Sequence, residues 1–173
     1  MILNKYNLIL KKLEFSDIEM LRMWRNSDNV KKYMEFKGYI TIEMQKKWFE
    51  SITSSSYYFV IYYDNYPIGL TEIKNINNGI GNLGIFIAEP EMLSVPMLAY
   101  KAIFTMLDFG FYDLNLLKIE ASILKDNERA IRFNKALGFE IMENQEHLKN
   151  QMYSLSENVY SQKTLSLKKL CLR

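Results

Sequence analysis

Two glutamates fall on predicted strands and have the chemistry of a general base. Glu72 shares a strand face with Leu70 and Lys74, and Glu120 shares the face of a later strand with Ser122. A carboxylate set among apolar neighbours can take a proton from a substrate, directly or through one water. Either residue can equally be a solvated strand carboxylate, so both are candidate bases.

Other side chains with acid–base or metal chemistry are scarce in this sequence. His147 is the lone histidine and falls in a polar stretch, where a surface position is expected. Cys171 is the lone cysteine, so it cannot form an internal disulfide, and a reducing compartment is favoured. Because histidines and cysteines do not cluster, the sequence predicts no metal site. The place of Cys171 at the C-terminal end also argues against a covalent cysteine intermediate.

Hydrophobic periodicity and turn residues divide the chain into strands and helices. The sequence predicts a strand, two helices, three strands joined by hairpin turns, a long helix, a strand, a short helix and two strands. The predicted strands are 7–13, 57–63, 68–76, 82–88, 117–124, 139–142 and 159–168. The predicted helices are 16–25, 41–52, 95–112 and 127–137, with a short helical piece at 30–34. The polar stretch 143–158 is left unassigned.

This order predicts an α/β (α+β) fold, with helices flanking a mixed, mostly antiparallel sheet. A length of 173 residues suits a single domain, 1–173, and 49% hydrophobic residues can supply its core. Twenty-two basic residues are dispersed among 20 acidic ones, so the sequence predicts no nucleic-acid partner. No apolar run approaches about 18 residues and no signal peptide is visible, which predicts a cytoplasmic protein away from membranes.

A specific motif covers residues 127–139, which read N-E-R-A-I-R-F-N-K-A-L-G-F. Asn127 can cap a helix that Gly138 ends. The stretch resembles the N-x-x-A-I-x-x-Y-x-K-x-G-F signature of the GNAT acyl-CoA-dependent N-acetyltransferases, with Asn134 replacing its tyrosine and Ala136 its lysine. The superfamily resemblance extends over about residues 8–170. Within it, the chain is most similar to the amino-sugar acetyltransferases of the pseudaminic acid pathway, and next to the Rim-type ribosomal-protein acetyltransferases.

The resemblance implies acetyl-CoA as the acyl donor, bound between the strands that begin near Asn82 and Leu117. In the family, the first of these strands offers backbone groups to the pantetheine arm and an amide to the oxyanion, and a loop before the next helix binds the pyrophosphate. Ile87 is the candidate oxyanion donor here. Ser94 and Pro96 stand where that loop usually has glycines. The implied coenzyme-binding residues are Ile85, Phe86, Ile87, Ser94, Val95, Met97, Leu98, Asn127 and Phe133.

The resemblance also bears on catalysis. Many relatives have a tyrosine at the Asn134 position that protonates the leaving thiolate. An amide cannot donate a proton with useful acidity, although it can hydrogen-bond the sulfur. Rim-type enzymes have a glutamate at the Ser122 position, so that base is missing here. The predicted catalytic residues are Glu72, Glu120 and Asn134.

The end of the first helix, Trp24-Arg25-Asn26, borders the acceptor pocket in the relatives. Arg25 can pair with a nucleotide phosphate and Trp24 can stack on a base or a sugar. In the alternative interpretation, Trp24 belongs to the core and Arg25 is a solvated cation at a helix end. All three residues are predicted to bind substrate.

These observations predict an acetyl-CoA-dependent N-acetyltransferase that acts in a ternary complex. The predicted acceptor is a small-molecule amine, favoured as the 4-amino group of a nucleotide-linked amino sugar, and a homodimer is left open. Two alternatives remain at this point. One is a Rim-type protein N-terminal acetyltransferase; the other is a non-catalytic GNAT-fold binding module, which the loop without glycines and the missing tyrosine favour.

Overall fold

The computed structural model describes residues 1–172. Their strands form one eight-stranded sheet in the order β1-β2-β3-β4-β5-β6-β8-β7. Its strands are β1 (Ile2–Lys5), β2 (Leu8–Lys12), β3 (Tyr57–Tyr63), β4 (Tyr66–Asn77), β5 (Ile80–Ile87), β6 (Lys118–Leu124), β7 (Glu140–Ile141) and β8 (Asn150–Ser156). Its α-helices are α1 (Ile18–Asn26), α2 (Asp28–Lys31), α3 (Ile42–Glu50), α4 (Leu98–Asp108), α5 (Glu128–Leu137), α6 (Glu157–Lys163) and α7 (Leu165–Cys171). Only β5 and β6 pair in parallel within this sheet. The predicted mixed, mostly antiparallel sheet is therefore confirmed.

Three tight turns set the register of the first five strands. Tyr6–Asn7, Asp64–Asn65 and Asn78–Gly79 each have positive φ at both residues, which is the geometry of a two-residue type I′ hairpin. Asparagine and glycine tolerate this region, so the second and third turns were predictable from sequence. The first turn joins β2 to β1, which the sequence analysis did not predict.

Helices pack on both faces of the sheet. On one face, α4 to α7 bury a large cluster against the sheet, with Ile73 and Ile119 at its centre. On the other face, α1 and α3 cover a smaller cluster around Leu70. This second cover stops short of β6 and β8, where Ser122 is exposed and Met152 only half-buried. The face that carries α1 and α3 is therefore open beside β6.

The predicted last strand, 159–168, is wrong. Those residues form α6 and most of α7, and the strand lies earlier, as β8, within the stretch left unassigned. Ser156 caps α6 through Val159 N–H, at 3.4 Å. Tyr160, Thr164 and Cys171 are buried at helical spacing. The alternation of Leu and Ser around Leu165 imitated a strand, but the buried positions follow the helical period.

None of the helices within residues 1–172 is long and apolar enough to cross a membrane. Three or more metal-ligating side chains do not come together anywhere in that part of the chain.

Candidate active site

A gap opens in the sheet between β5 and β6. The two strands pair only over Ile80–Leu83 and Lys118–Ala121, although β5 continues to Ile87 and β6 to Leu124. Beyond the paired stretch the strands separate, and the facing backbone groups lose their sheet partner. Unpaired strand edges bind other extended chains, so the β5–β6 gap can hold the arm of a ligand.

Along β5, the backbone N–H and C=O groups of alternate residues point towards β4 and towards this gap. Ala88 N–H donates to Ile68 O at 2.8 Å, towards β4. Since alternate strand residues direct their backbone groups to opposite sides, Phe86 also faces β4, whereas Ile85 and Ile87 face the gap. Ile85 and Ile87 therefore keep a free edge, which the predicted coenzyme contacts require. Phe86 does not, and its ring instead packs edge-on against Trp24 at 6.3 Å between centroids.

The long helix begins later than the sequence analysis predicted. Val95 is extended (φ −67°, ψ 122°), as expected for a residue that precedes proline. Met97 then takes a left-handed conformation (φ 61°, ψ 1°), and α4 begins at Leu98. The predicted start at Val95 ignored the restriction that Pro96 places on the residue before it.

This later start changes which amides are available. Val95 N–H donates to Met92 O and Leu98 N–H to Val95 O, so those two predicted contacts are used inside the turn. Ser94 lies in the preceding 3-10 turn, where its Oγ donates to Glu91 O at 2.6 Å. No side chain caps α4.

Two amides that the sequence analysis missed lie in the first turn of α4. Ala99 and Tyr100 N–H have no acceptor within residues 1–172, and neither does Met97 N–H just before them. Uncapped amides at a helix N-terminus bind anions, helped by the helix dipole. The start of α4 is therefore a suitable phosphate site even without the expected glycines.

Helix α5 packs beside the first turn of α4. Asn127 caps it, with Oδ1 accepting from Ala130 N–H at 3.1 Å, which leaves the amide nitrogen of Asn127 available. Phe133 packs against Tyr100 of α4, at 4.7 Å between ring centroids. This contact sets the spacing of α4 and α5 next to the uncapped turn.

Asn134 is buried on α5, at 8% exposure. Its Nδ2 donates to Ala130 O at 2.9 Å, and its side chain makes no other hydrogen bond within residues 1–172. The second N–H and the carbonyl oxygen are therefore left for a ligand. This arrangement suits a hydrogen-bond donor to sulfur, not a proton donor.

Glu72 lies beside the gap on the face that carries α1 and α3. It is opposite Tyr58 on β3 and Gly84 on β5, and a Cβ at Gly84 would come within 2.9 Å of its Oε1. Lys74, two residues along, forms an ion pair with Glu72, whose side chain is 16% exposed. A half-buried, charge-paired carboxylate at the gap has the location of a general base.

Glu120 lies on β6, the second strand that borders the gap. It is half-buried on β6, opposite Asn82, which in turn is opposite Lys74. Paired strand residues share a face, so Glu120 lies two strand spacings from Lys74, about 10 Å. The two candidate bases thus share a face, with Glu72 opposite Gly84 of β5 and Glu120 on β6 next to Ala121, the last paired residue.

Trp24 and Arg25 border the same face. Arg25 is half-buried, with its guanidinium 5.3 Å from the centre of the Trp48 ring. Burial lowers the pKa of Arg25, and the nearby Glu72 carboxylate opposes that shift. Burial raises the pKa of Tyr58, and Glu72 adds to the shift. Glu72 therefore lies among Arg25, Tyr58 and Lys74. Of these three neighbours, only Arg25 was predicted from the sequence as a site residue.

Asn26 has a different position. Its Nδ2 donates to Ile40 O at 2.9 Å and its Oδ1 accepts from Ile40 N–H at 2.8 Å. Both ends of the amide thus hold the 33–40 segment against α1. We assign Asn26 to positioning that segment instead of binding substrate directly.

An acyltransferase fold is defined by these features together: a central sheet split between two parallel strands, an uncapped helix after the first of them, and an N-capped helix after the second. The GNAT acetyltransferase domain model matches residues 7–140, well over half of the chain. The chain belongs to the GNAT acetyltransferase family. It is an acyltransferase with acetyl-CoA as its acyl donor, and the free amides of α4 and the unpaired edge of β5 fit that coenzyme.

Two named acetyltransferases are similar in sequence to this chain. The acetyltransferase PseH of Campylobacter jejuni subsp. jejuni serotype O:23/36 (strain 81-176) is 26% identical over 131 residues, spanning 75% of this chain and 80% of that protein. The spermidine N(1)-acetyltransferase of Escherichia coli (strain K12) is 28% identical over 134 residues, spanning 76% of this chain and 72% of that protein.

Solved structures give the same fold. FdhC, a nucleotide-linked sugar GNAT in its apo form, superposes with a TM-score of 0.80 at 20% identity, covering 98% of this chain and 97% of FdhC. The spermidine N-acetyltransferase of Vibrio cholerae, in complex with CoA and spermine, superposes with a TM-score of 0.79 at 22% identity, covering 91% and 99%. Identities this low establish the fold alone.

Proposed function

We propose that the chain acetylates the 4-amino group of a nucleotide-linked amino sugar by direct transfer in a ternary complex. The observation that carries the catalytic part is the Glu72 carboxylate lying over Gly84, beside the unpaired edge of β5. Acetyl-CoA supplies the acetyl thioester. No covalent enzyme intermediate is required, because the acceptor nitrogen attacks the thioester carbon itself.

Different residues remove the proton, stabilise the oxyanion, contact the leaving thiolate and bind the coenzyme. Glu72 takes the proton that the acceptor amine loses as the carbon–nitrogen bond forms, through a water. Ile87 N–H stabilises the negative charge that develops on the carbonyl oxygen. As the carbon–sulfur bond breaks, the second N–H of Asn134 hydrogen-bonds the leaving thiolate, which takes its proton from solvent. The amides of Ala99 and Tyr100 bind the pyrophosphate of the coenzyme.

The charged groups near the end of α1 and the similarity to known acetyltransferases both support this acceptor. The region around the end of α1 carries aromatic rings and cations with few carboxylates: Trp24, Arg25, Lys31, Lys32, Tyr33, Lys46, Lys47 and Trp48. Such groups suit a nucleotide diphosphate and a base. The likeness to a nucleotide-linked sugar GNAT and to PseH points the same way. A polyamine is the second candidate, favoured by the 28% identity to the Escherichia coli spermidine enzyme.

A substrate panel tests the proposal. Acetyl-CoA is offered with UDP- and dTDP-linked 4-amino sugars, with spermidine and with ribosomal N-terminal peptides, and the released CoA thiol is measured. We expect turnover with a nucleotide-linked amino sugar at least about tenfold above the other amines, in keeping with an acceptor site selected by charge. Turnover confined to spermidine or to peptides would reject the sugar acceptor. Binding of acetyl-CoA without turnover of any amine would support the non-catalytic module instead.

A further inference from the structure

A pocket lined by four lysines lies where β6 ends, and Asn127, the cap of α5, also lines it. It has a volume of about 250 Å³ and is lined by Lys32, Tyr33, Lys37, Leu124, Lys125, Asp126, Asn127 and Lys149. We call it the lysine pocket. Pockets that enclose a whole drug-sized ligand are usually about 300–1,000 Å³, so this one suits part of a larger molecule.

The charge of the lysine pocket is strongly one-sided. Four exposed lysines and one carboxylate, that of Asp126, line it. None of the four lysines forms an ion pair within the part of the chain that the structure describes. Unpaired cations gathered around one cavity raise the local concentration of anions. A ligand with two or more negative charges is therefore favoured there.

The backbone brings these lysines together from three segments. Lys125 N–H donates to Lys149 O at 2.8 Å, so two of them are neighbours at the ends of β6 and β8. Lys37 Nζ donates to the carbonyl oxygens of Lys31 and Lys32, at 3.1 and 2.7 Å, and closes the turn after α2. Lys37 thus holds the segment that presents Lys32, whose Nζ lies 4.8 Å from the centre of the Tyr33 ring.

The lysine pocket is on the acceptor side of the sheet. Helix α2 is held at the end of β5 by the Asn29 amide, which donates to Ala88 O at 2.9 Å. Leu124, at the end of β6, shares the open face of the sheet with Glu120 and Ser122 because alternate strand residues point the same way. The amides of α4 that suit the coenzyme pyrophosphate lie on the opposite face, where α4 packs.

The distance from the gap fits a nucleotide-linked sugar. Leu124 follows Ala121, the last paired residue of β6, by three residues, which is about 10 Å along a strand. Ile87 follows Leu83, the last paired residue of β5, by four residues, so an amine that attacks the thioester beside Ile87 N–H lies at this same end of the gap, with its anomeric phosphate towards the pocket. Resting on the proposed function, we infer that the lysine pocket binds the diphosphate of the acceptor. The same charge would repel a polyamine, so it also selects against that class of amine.

The test separates the lysine pocket from the coenzyme site. The variant Lys32→Ala/Lys149→Ala removes one charge from each side of the pocket and spares Lys37, which holds the turn. Lys12→Ala/Lys169→Ala is the matched control, since both residues are exposed and lie outside the pocket. Binding of UDP, uridine and inorganic pyrophosphate is measured by calorimetry, and KM is measured for acetyl-CoA and for the nucleotide-linked acceptor.

We expect the pocket variant to weaken UDP and pyrophosphate binding about tenfold or more, because charge-assisted contacts to phosphate are lost. Uridine should bind weakly to every variant, and the control should match the wild type. The acceptor KM should rise with the KM for acetyl-CoA unchanged. A raised KM for acetyl-CoA with unaltered UDP binding would instead assign the pocket to the coenzyme and overturn the inference, as would equal UDP affinity in both variants. If UDP binding depends on the lysines while no nucleotide-linked sugar is acetylated, the pocket stands and the proposed function falls.

Discussion

At the scale of single residues, the position of the Glu72 carboxylate depends on the absence of a side chain at Gly84. Gly84 has no side chain, so the carboxylate can lie flat over β5; a Cβ there would meet Oε1 at 2.9 Å and Cγ at 3.0 Å. Lys74 pairs with the same carboxylate. These contacts hold one oxygen near the gap and leave Glu72 only partly exposed. Two substitutions test whether this placement matters.

Glu72→Gln keeps the shape of the side chain and removes the base. We expect a lower kcat with little change in KM, and the largest deficit at low pH, where few acceptor amines have already lost their proton. The measurement is a pH–rate profile on the best acceptor of the panel, with thermal unfolding to confirm folding. Glu50→Gln, an exposed glutamate at the end of α3, is the control. An unchanged profile for Glu72→Gln would move the role to Glu120 or to no side chain.

Gly84→Ala tests position without touching charge. The added methyl should push the Glu72 carboxylate away from the gap and lower kcat several-fold, since misplacement of a catalytic group by about 1 Å can cost about 100-fold. In a Glu72→Gln background the same change should have little further effect, because the group that it displaces is already inactive. Additive losses in the double variant would mean that Gly84 acts on the coenzyme and not through Glu72.

At the scale of elements, one buried carboxylate ties distant parts of the chain together. Asp108, at the end of α4, accepts from Tyr160 of α6 at 2.7 Å and from Lys168 of α7 at 2.6 Å. Lys5 of β1 and Tyr6 of the first hairpin turn also reach it, both at 3.3 Å. The N-terminal hairpin and the two C-terminal helices are thereby fixed to α4, whose first turn has the uncapped amides.

Asp108→Asn should destabilise the fold by roughly 3 kcal/mol, because it leaves the lysines around a mostly buried site without their anion. Asp113→Asn, an exposed position close by, should be nearly neutral. The free energy of unfolding is measured by urea titration at pH 7. A loss no larger than that of the control would show that the network contributes specificity and not stability.

The same carboxylate predicts a pH dependence. Burial acts to raise the pKa of Asp108, but hydrogen bonds from Lys168 and Tyr160 outweigh it and hold the pKa below its usual value. A depressed folded-state pKa gives stability that is present above the unfolded value of about 3.9 and is lost as the pH falls through the folded value. The difference in the free energy of unfolding between wild type and Asp108→Asn should therefore be constant from pH 6 to 8 and should shrink below about pH 4. A difference that persists in acid would contradict the assignment.

At the scale of the whole molecule, the proposed coenzyme site draws on three separate elements. The open edge of β5, the first turn of α4 and the start of α5 converge beside the β5–β6 gap. A ligand that bridges them should stabilise the fold, since it binds the folded state and not the unfolded chain.

We therefore expect acetyl-CoA to raise the melting temperature in a concentration-dependent way, with about 2.7 kcal/mol of stabilisation at 100 times its Kd. Differential scanning fluorimetry with acetyl-CoA up to millimolar concentration measures this shift, and pantetheine, which lacks the phosphates, is the control. Equal shifts with both ligands would argue against the amides of Ala99 and Tyr100 as the pyrophosphate site. The absence of any shift or heat of binding at millimolar acetyl-CoA would reject coenzyme binding itself.

Much of this architecture was predictable from local pattern. Aromatic and branched residues marked β3, and the Asp64–Asn65 and Asn78–Gly79 turns joined it to β4 and β5 because their positive φ suits these residues. The thirteen residues from Asn127 to Phe139 carried the family resemblance, and the GNAT model match bears that family out. The predicted helix cap at Asn127 is confirmed by its bond to Ala130 N–H.

Other features depended on contacts between segments far apart in the sequence. The helices at Glu157–Lys163 and Leu165–Cys171 are set by packing of Tyr160 and Thr164 and by the bond to Asp108, more than 50 residues away. A local alternation of leucine and serine cannot reveal such a partner. The start of α4 was different in kind, because the rule for residues before proline would have excluded Val95 as its first residue.

The sequence by itself determined the family, the order of the central strands and the residues that carry the signature, since these follow from local turn chemistry and from short motifs. Tertiary structure alone decided that the Glu72 carboxylate lies over Gly84, that Ile85 and Ile87 have the free backbone edge, and that four lysines from three segments share one pocket. Each of these is a matter of strand register and of which chain segments meet. Register and long-range contacts are set by the packing of the whole core, and no local stretch of sequence contains that information.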